Sequence, residues 1–114
     1  LNRLPIQGVK LQLLHVLSDS DLADLYRAGE YTPLEKEEYL TLVGDCIAHL
    51  RADIVLHRLT GDGDKNTLLA PLWSLRKRDV LNHLHRYLRE NHIRQGMSCK
   101  IDLSVIYNKP KDVL

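Results

Sequence analysis

The apolar positions of the chain follow two different spacings, and each spacing predicts a different kind of element. From Val9 to Leu17 the chain is almost continuously apolar, with polar residues only at Lys10, Gln12 and His15. Continuous rather than alternating hydrophobicity is typical of a strand that is covered on both faces, as in a parallel sheet. A second run, Ile54 to Leu56, is apolar with two β-branched residues and predicts another such strand.

Two helices are predicted between these strands. Ser18 followed by Asp21 resembles a capping box before a short helix, which Gly29 is suited to end. Thr32 to Glu35 predicts the start of a second helix, with a Thr N-cap, Pro at the first helical position and Glu at the third. Spacings of three and four then define its apolar stripe: Leu40, Val43, Ile47 and Leu50. Residues Val9 to Leu59 are therefore predicted to form one right-handed βαβ crossover.

The C-terminal half predicts one long helix and one strand. Ser74 is a suitable N-cap for a helix from Leu75 to about Asn91. Its inward-facing residues are predicted to be Val80, Leu81, Leu84 and Leu88. From Met97 apolar and polar residues alternate, which predicts a half-buried strand over about Cys99 to Tyr107.

Together these elements predict an α/β fold with two parallel βα units and a C-terminal strand. Residues 1–96 are expected to form the main unit and residues 97–114 a tail. Two parallel strands leave an open sheet edge, so we expect the tail strand or a second copy of the chain to pair there, the latter giving a homodimer.

Composition narrows the class of protein without defining it. Basic and acidic residues nearly balance, at 16 against 15, but they are unevenly distributed. Residues 19–64 are predominantly acidic and residues 65–111 predominantly basic, so the C-terminal half is the one suited to a polyanion. Two widely separated cysteines, no signal peptide and no membrane-length apolar run predict a cytoplasmic protein without disulfides or membrane contact.

The end of the second strand carries the strongest candidate site. His57 and Arg58 come directly before Thr60, Gly61 and Asp62. Ligands of parallel α/β folds bind beyond the carboxyl ends of strands, and glycine lets the backbone approach a ligand closely. Arg58 at such a position needs an anion, either a ligand or the carboxylate of Asp62, and the sequence leaves both alternatives open.

His15 and the basic helix are weaker candidates. A lone His in an apolar strand is usually a hydrogen-bonded core residue, and the alternative is a side chain that faces a substrate. No histidine pair has the spacing of a helical zinc site, so no metal site is predicted. The predicted C-terminal helix carries basic residues that either are solvated or bind the phosphates of an RNA: Arg76, Lys77, Arg78, Arg86 and Arg89.

Four segments resemble, in this order, the C-terminal part of an uncharacterised bacterial radical S-adenosylmethionine (SAM) family. They are LQLLHVL at Leu11–Leu17, LADLYRAGEYTPL at Leu22–Leu34, HRLTGDG at His57–Gly63 and APLWSLRKRDVLN at Ala70–Asn82. That family is related to the Elongator catalytic subunit and to coproporphyrinogen-dehydrogenase-type proteins. The resemblance implies that this chain is the C-terminal part of a partial (β/α) barrel.

The resemblance also implies a function for the site residues. SAM would be held partly by Arg58, Leu59, Thr60, Gly61 and Asp62. His15 and His57 would face the substrate, which the Elongator relationship suggests is RNA, possibly wobble uridine in tRNA. A full-length parent of this kind forms a 5′-deoxyadenosyl radical from SAM at a 4Fe–4S cluster.

The chain departs from this family at one important point. It lacks the CxxxCxxC motif that holds the cluster, and Cys46 and Cys99 are too few to replace it. We therefore expect an inactive fragment that binds no cofactor alone and is partnered by a missing N-terminal half of the barrel. The alternative is a non-catalytic binding or assembly module.

Overall fold

The computed structural model of the protein describes residues 1–61 and 63–100 and shows a mixed α/β fold. Its elements are β1 (Gly8–Lys10), β2 (Val16–Leu17), α1 (Asp21–Arg27), α2 (Lys36–His49), β3 (Val55–Arg58), β4 (Leu68–Ala70), a 3₁₀ turn (Leu72–Leu75) and α3 (Lys77–Glu90). β1 pairs with β3 in a parallel sheet, and β2 pairs with β4 in a separate antiparallel sheet. The predicted α/β class and parallel pairing are confirmed.

The apolar run from Val9 to Leu17 forms two strands, whereas the sequence predicts one. The chain leaves the parallel sheet after β1 and joins the antiparallel sheet at β2. Both parts are apolar because they enter different cores: Leu13 packs in the main core, whereas Val16 lies with Ala23 in a smaller cluster. His15 therefore lies in the connection between the two sheets, directly before β2, and not near the carboxyl end of one long strand, which corrects its predicted position.

The first two helices begin later in the chain than predicted, because other residues occupy their N-cap positions. α1 is capped by Ser20, whose hydroxyl accepts a first-turn N–H at 3.3 Å, and not by Ser18. α2 begins after Glu35, whose N–H donates to the Glu38 carboxylate at 3.1 Å, and not after Thr32. Several residues that can cap a helix precede each of them, and the sequence pattern does not distinguish among these residues.

α3 also begins two residues later than predicted. Ser74, the predicted N-cap, is buried in the 3₁₀ turn, where its hydroxyl donates to the Pro71 carbonyl at 2.7 Å. Arg76 takes the cap position without a side-chain hydrogen bond, and the helix starts at Lys77. The turn competes with the helix for the Ser74 hydroxyl, which is why the capping prediction is wrong.

α2 and α3 cover one face of the parallel sheet. The buried residues of this main core are Leu13, Tyr39, Leu40, Val43, Ile47, Val80 and Leu84. The apolar stripe predicted for α2 is buried throughout, and Val80 and Leu84 are the most buried positions of α3. The inward face predicted for α2 is therefore confirmed, as is that of α3 at Val80, Leu84 and Leu88, whereas Leu81 is half-buried and does not pack in this core. Within the described part of the chain, no helix is long and apolar enough to cross a membrane.

The opposite face of the parallel sheet is uncovered in residues 1–61 and 63–100. Leu56 packs against the main core, so strand alternation directs Val55 and His57 to the other side. Val55 is 55% exposed there. The described β1 and β3 each have one paired neighbour, so the outer edge of each is also open. Another segment of the protein, or another copy of this chain, is suited to cover such a face.

Arg51 joins the N-terminal segment to the connection between α2 and β3. Its side chain is 2% exposed. The guanidinium donates to the carbonyl oxygens of Asn2, Leu4 and Ile6 at 2.8, 3.0 and 2.9 Å and to the Asp53 carboxylate at 2.6 Å. A buried charge is tolerated when its donors are matched in this way. Arg51 therefore fixes how the N-terminal segment enters β1.

The chain beyond α3 returns to the C-terminal end of α2. The Gly96 N–H donates to the Ile47 carbonyl at 3.1 Å, and the Ser98 N–H donates to the Ala48 carbonyl at 2.8 Å. Residues 97–100 are not a strand. The rest of the predicted tail strand, residues 101–107, lies outside the described residues, so its pairing and the division at residues 96 and 97 stay predictions.

Candidate functional site

The carboxyl end of β3 is held by hydrogen bonds from two other parts of the fold. The Leu11 N–H donates to the Arg58 carbonyl at 2.8 Å and continues the parallel pairing beyond β1. The Tyr39 hydroxyl, from α2, donates to the Leu59 carbonyl at 2.6 Å. Burial, with a smaller effect of the Cys46 thiol, raises the pKa of Tyr39, so this hydroxyl remains a donor at neutral pH. These two hydrogen bonds therefore hold the carboxyl end of β3 in place.

His15 packs against the loop that follows β3. A Cβ added at Gly61 would lie 2.7 Å from Cε1 and 3.1 Å from Nε2 of the imidazole. A Cβ added at Gly63 would lie 3.1 Å from Nδ1 and 3.3 Å from Cε1. The edge of the ring that contains both nitrogens therefore faces these two glycines: a side chain at Gly61 would clash with the ring, and one at Gly63 would make a tight contact with it.

The ring of His15 is partly removed from water. Its Nε2 is buried and has no hydrogen-bond partner in the described part of the chain. Burial lowers the pKa of His15, and the positive charge of Lys77 lowers it further, so the ring is neutral at neutral pH. A substrate reaches this atom only if the ring or the loop moves. The predicted substrate contact of His15 stays a prediction.

His57 lies on the uncovered face of the sheet. Its ring lies over Gly8 of β1, where an added side chain would overlap the imidazole. No hydrogen bond joins His57 to His15 in the described residues. The two residues predicted to share a substrate pocket thus have different neighbours, one facing the loop and the other facing the open side of the sheet.

The residues predicted to bind a cofactor follow one another at the end of β3. Arg58, Leu59 and Thr60 are half-buried, and Gly61 is buried. Asp62 lies outside the described residues. Both alternatives for Arg58, an ion pair with Asp62 or a contact with a ligand, therefore stay predictions.

The polar face of α3 presents the predicted RNA-binding residues to solvent. Arg76, Lys77, Arg78, Arg86 and Arg89 are all exposed. Helical spacing places Arg78, Arg86 and Arg89 opposite the buried Val80 and Leu84. These three arginines form no ion pair with a described residue, whereas Asp79 contacts Lys36 at 3.7 Å and His83 at 3.5 Å. The face therefore carries an excess of positive charge.

The described residues do not fit an iron–sulfur cluster. No group of three or more His, Cys, Asp or Glu side chains within residues 1–61 and 63–100 is placed to hold a metal ion. Cys46 is exposed, Cys99 is half-buried, and both are free thiols. A cluster needs four thiolates, or three with one open iron site.

The sequence pattern did not indicate that Tyr39 and Arg51 support the site through hydrogen bonds. Tyr39 lies four residues before Val43 on the apolar stripe of α2, and a tyrosine on such a stripe indicates a buried hydroxyl that needs a partner. Trp73 adds support, since its Nε1–H donates to the Leu34 carbonyl at 3.1 Å and its ring lies 5.6 Å from that of Tyr39. Trp73 also packs against the main core.

The fold and the site together define a class of protein. Parallel strands joined through helices, with a polar, glycine-containing segment after one strand, are the arrangement of α/β barrel-type domains. The chain belongs to the radical SAM C-terminal domain family, whose model matches residues 6–90. The predicted resemblance to the C-terminal part of radical SAM proteins is thereby confirmed.

The similar curated proteins are about three times as long as the matched segment. The chain is 32% identical over 93 residues to the uncharacterised protein YtqA of Bacillus subtilis, which covers 82% of this chain and 29% of that protein. It is 33% identical over 88 residues to protein YhcC of Escherichia coli, and the aligned part is 77% of this chain and 28% of that protein. It is 30% identical over 97 residues to the uncharacterised protein MJ0486 of Methanocaldococcus jannaschii, covering 84% and 30%. The chain thus spans less than a third of the length of these relatives.

Proposed function

We propose that this chain is the C-terminal part of a radical SAM enzyme and that the end of β3 helps to bind SAM. The residues concerned are Arg58, Leu59, Thr60, Gly61 and Asp62. The observation that carries the proposal is the fixed strand end, which α2 and the Leu11 N–H hold by hydrogen bonds of 2.6 and 2.8 Å. Binding sites on rigid elements hold a ligand in one orientation.

The chemistry of the strand end suits the polar groups of SAM. Gly61 and Gly63 let backbone groups approach a ribose or an adenine, and Arg58 supplies a cation for a carboxylate. In the full-length enzyme, SAM and the cluster would supply radical chemistry for removing hydrogen from a substrate. Because the described residues do not fit the cluster, the proposal assigns it to a separate N-terminal half of the barrel, which is the main partner of this chain.

The proposed substrate is RNA, for example wobble uridine in tRNA, in a cytoplasmic enzyme. Two features support it: the positive excess on α3, and the relationship to the Elongator catalytic subunit inferred from the sequence. Phosphates bound by Arg78, Arg86 and Arg89 would orient an RNA without selecting its sequence. His57 is proposed to face this substrate, because it lies on the sheet face that the described helices leave open.

The gene sequence upstream of the codon for Leu1 tests the class of function. We expect an in-frame segment that encodes a CxxxCxxC motif. A start codon directly before Leu1, with no such segment, would contradict the proposal and favour the non-catalytic binding or assembly module.

A substitution tests the site within the full-length enzyme. Arg58→Ala should reduce SAM cleavage by at least about tenfold, since a charge-assisted contact contributes about 1.5–3 kcal/mol, and should leave the melting temperature within a few degrees. Arg27→Ala, on the exposed surface of α1, is the matched control. A large fall in melting temperature with full activity in the remaining folded protein would show that Arg58 is structural.

A further inference from the structure

We propose that His15 is a positioning residue that acts through Gly61 and Gly63 by filling the space beside both glycines and fixing the backbone of the loop after β3. The inference rests on the proposed function only for what that loop binds. The contacts of His15 with the loop are independent of the ligand.

The first argument is steric. Gly61 and Gly63 are two residues apart, and a Cβ at either position would approach the same ring edge to within 3.1 Å or less. A flat, rigid ring that contacts both glycines restricts their backbone more than one contact would. Glycine at both positions lets the backbone come this close. The ring and the glycines are therefore one packing unit.

The second argument concerns the choice of histidine. Its Nε2 is buried beside Gly61 and lacks a partner among the described residues. A buried polar atom without a partner is unfavourable, and a leucine would fill similar space without it. Filling space alone therefore does not account for the histidine. The nitrogen gives this place one hydrogen-bonding group that none of the described residues uses.

A double-mutant cycle in the 114-residue chain tests the packing unit. Gly61→Ala should lower the melting temperature by several degrees in the wild-type background and by much less in a His15→Ala background, where the clash is gone. Gly8→Ala is the matched control, since its Cβ meets His57 instead. Its effect should be equal in both backgrounds. Equal effects of Gly61→Ala in the two backgrounds would overturn the proposal.

Amide NMR spectra distinguish positioning from a general structural role. In His15→Ala, the amide signals of Thr60, Gly61 and Gly63 should shift and broaden while those of buried α2 and α3 residues keep their positions. Shifts spread over the whole core, or none in the loop, would reject the positioning role. The SAM site is tested separately, by Arg58→Ala in the full-length enzyme. If that variant cleaves SAM as the wild type does, SAM binding by this segment fails, whereas the His15 coupling is still judged by the cycle.

Discussion

Arg51 and His15 both place polar side-chain atoms in the interior, with very different surroundings. Arg51 directs its guanidinium at four oxygen atoms within 3.0 Å. His15 keeps a buried ring nitrogen without a partner in the described residues. The first arrangement stabilises the fold, because the charge is matched by acceptors. The second gives up stability at the place where we propose that a ligand binds.

Replacing Arg51 should be strongly destabilising. Arg51→Met keeps the length of the side chain but leaves three carbonyls and Asp53 without their donor, so we expect a loss of about 3–5 kcal/mol in the free energy of unfolding. Urea denaturation followed by circular dichroism measures it. Arg3→Met, an exposed position in the same N-terminal segment, should change this free energy by less than about 0.5 kcal/mol. Similar small changes in both variants would contradict the assigned role.

His15 should make the fold sensitive to acid. Burial and Lys77 lower its pKa from 6.5, so below pH 6.5 the unfolded chain takes up a proton that the folded chain does not. Stability should therefore fall as the pH drops through 6.5, and this loss should level off below the folded-state pKa. Above pH 6.5 the residue is neutral in both states and contributes nothing to the pH dependence.

Melting temperatures between pH 8 and 5, about the range in which histidine titrates, measure this effect. His15→Gln cannot take up the proton, so it should flatten the pH profile. His85→Gln, at an exposed position of α3, should keep the wild-type profile. Parallel profiles for the wild type and His15→Gln would show that His15 does not cause the acid sensitivity.

At the scale of elements, α2 and α3 approach closely at one small residue. A Cβ added at Gly44 would lie 2.7 Å from Cε1 of Tyr87 and 3.3 Å from the δ-methyl group of Ile93. Gly44 is buried inside a helix, where glycine is otherwise unfavourable. The close approach of the two helices over the sheet therefore accounts for the glycine.

Gly44→Ala sets two effects against each other. The higher helix propensity of alanine raises the free energy of unfolding by about 1 kcal/mol, whereas overpacking against Tyr87 lowers it by about 1–3 kcal/mol. Because the contact involves a half-buried ring, we expect a net loss of about 1 kcal/mol in thermal or urea unfolding. In a Tyr87→Leu background the clash is reduced, and Gly44→Ala should become stabilising. A stabilising effect in the wild type would show that Tyr87 moves aside at little cost.

The elements also show which features follow from a sequence and which do not. The stripes of α2 and α3 are predictable because burial at helical spacing depends on one element at a time. The division of Val9 to Leu17 into two strands is not, since it depends on which neighbours each half meets. Likewise the contacts of His15 and Arg51 join residues that are more than 40 positions apart, and no local pattern predicts them.

At the scale of the whole molecule, the positive charge and the helices that cover the parallel sheet are unevenly distributed. The helices bury one face of the parallel sheet, and the basic stripe, formed by Arg78, Arg86 and Arg89, lies on the side of α3 that faces away from this core. The basic stripe and the open sheet face, which carries His57, are thus separate surfaces. An RNA that contacts both has to extend from one side of the sheet to the other.

The basic stripe predicts a salt-dependent affinity for RNA in the full-length enzyme. Changing Arg78, Arg86 and Arg89 to Gln should reduce the slope of log affinity against log salt, by about 0.7 for each single-stranded phosphate that is no longer neutralised and so by about 2 in all. Fluorescence anisotropy with a labelled tRNA measures the slope. Arg27→Gln, an exposed cation on α1, is the control. An unchanged slope in the triple variant would exclude this face from RNA binding.

The way in which Arg51 holds the N-terminal segment has a consequence for sequence drift. Its guanidinium binds main-chain oxygens of Leu4 and Ile6, which every amino acid provides. Pro5 lacks an N–H, but this does not disturb these contacts, because the Arg51 guanidinium binds only carbonyl oxygens of the N-terminal segment. Side chains at positions 3–6 are consequently free to diverge among homologues. Asn2, whose amide oxygen accepts the Arg51 N–H at 2.8 Å, and Arg51 itself are the positions where substitution is constrained.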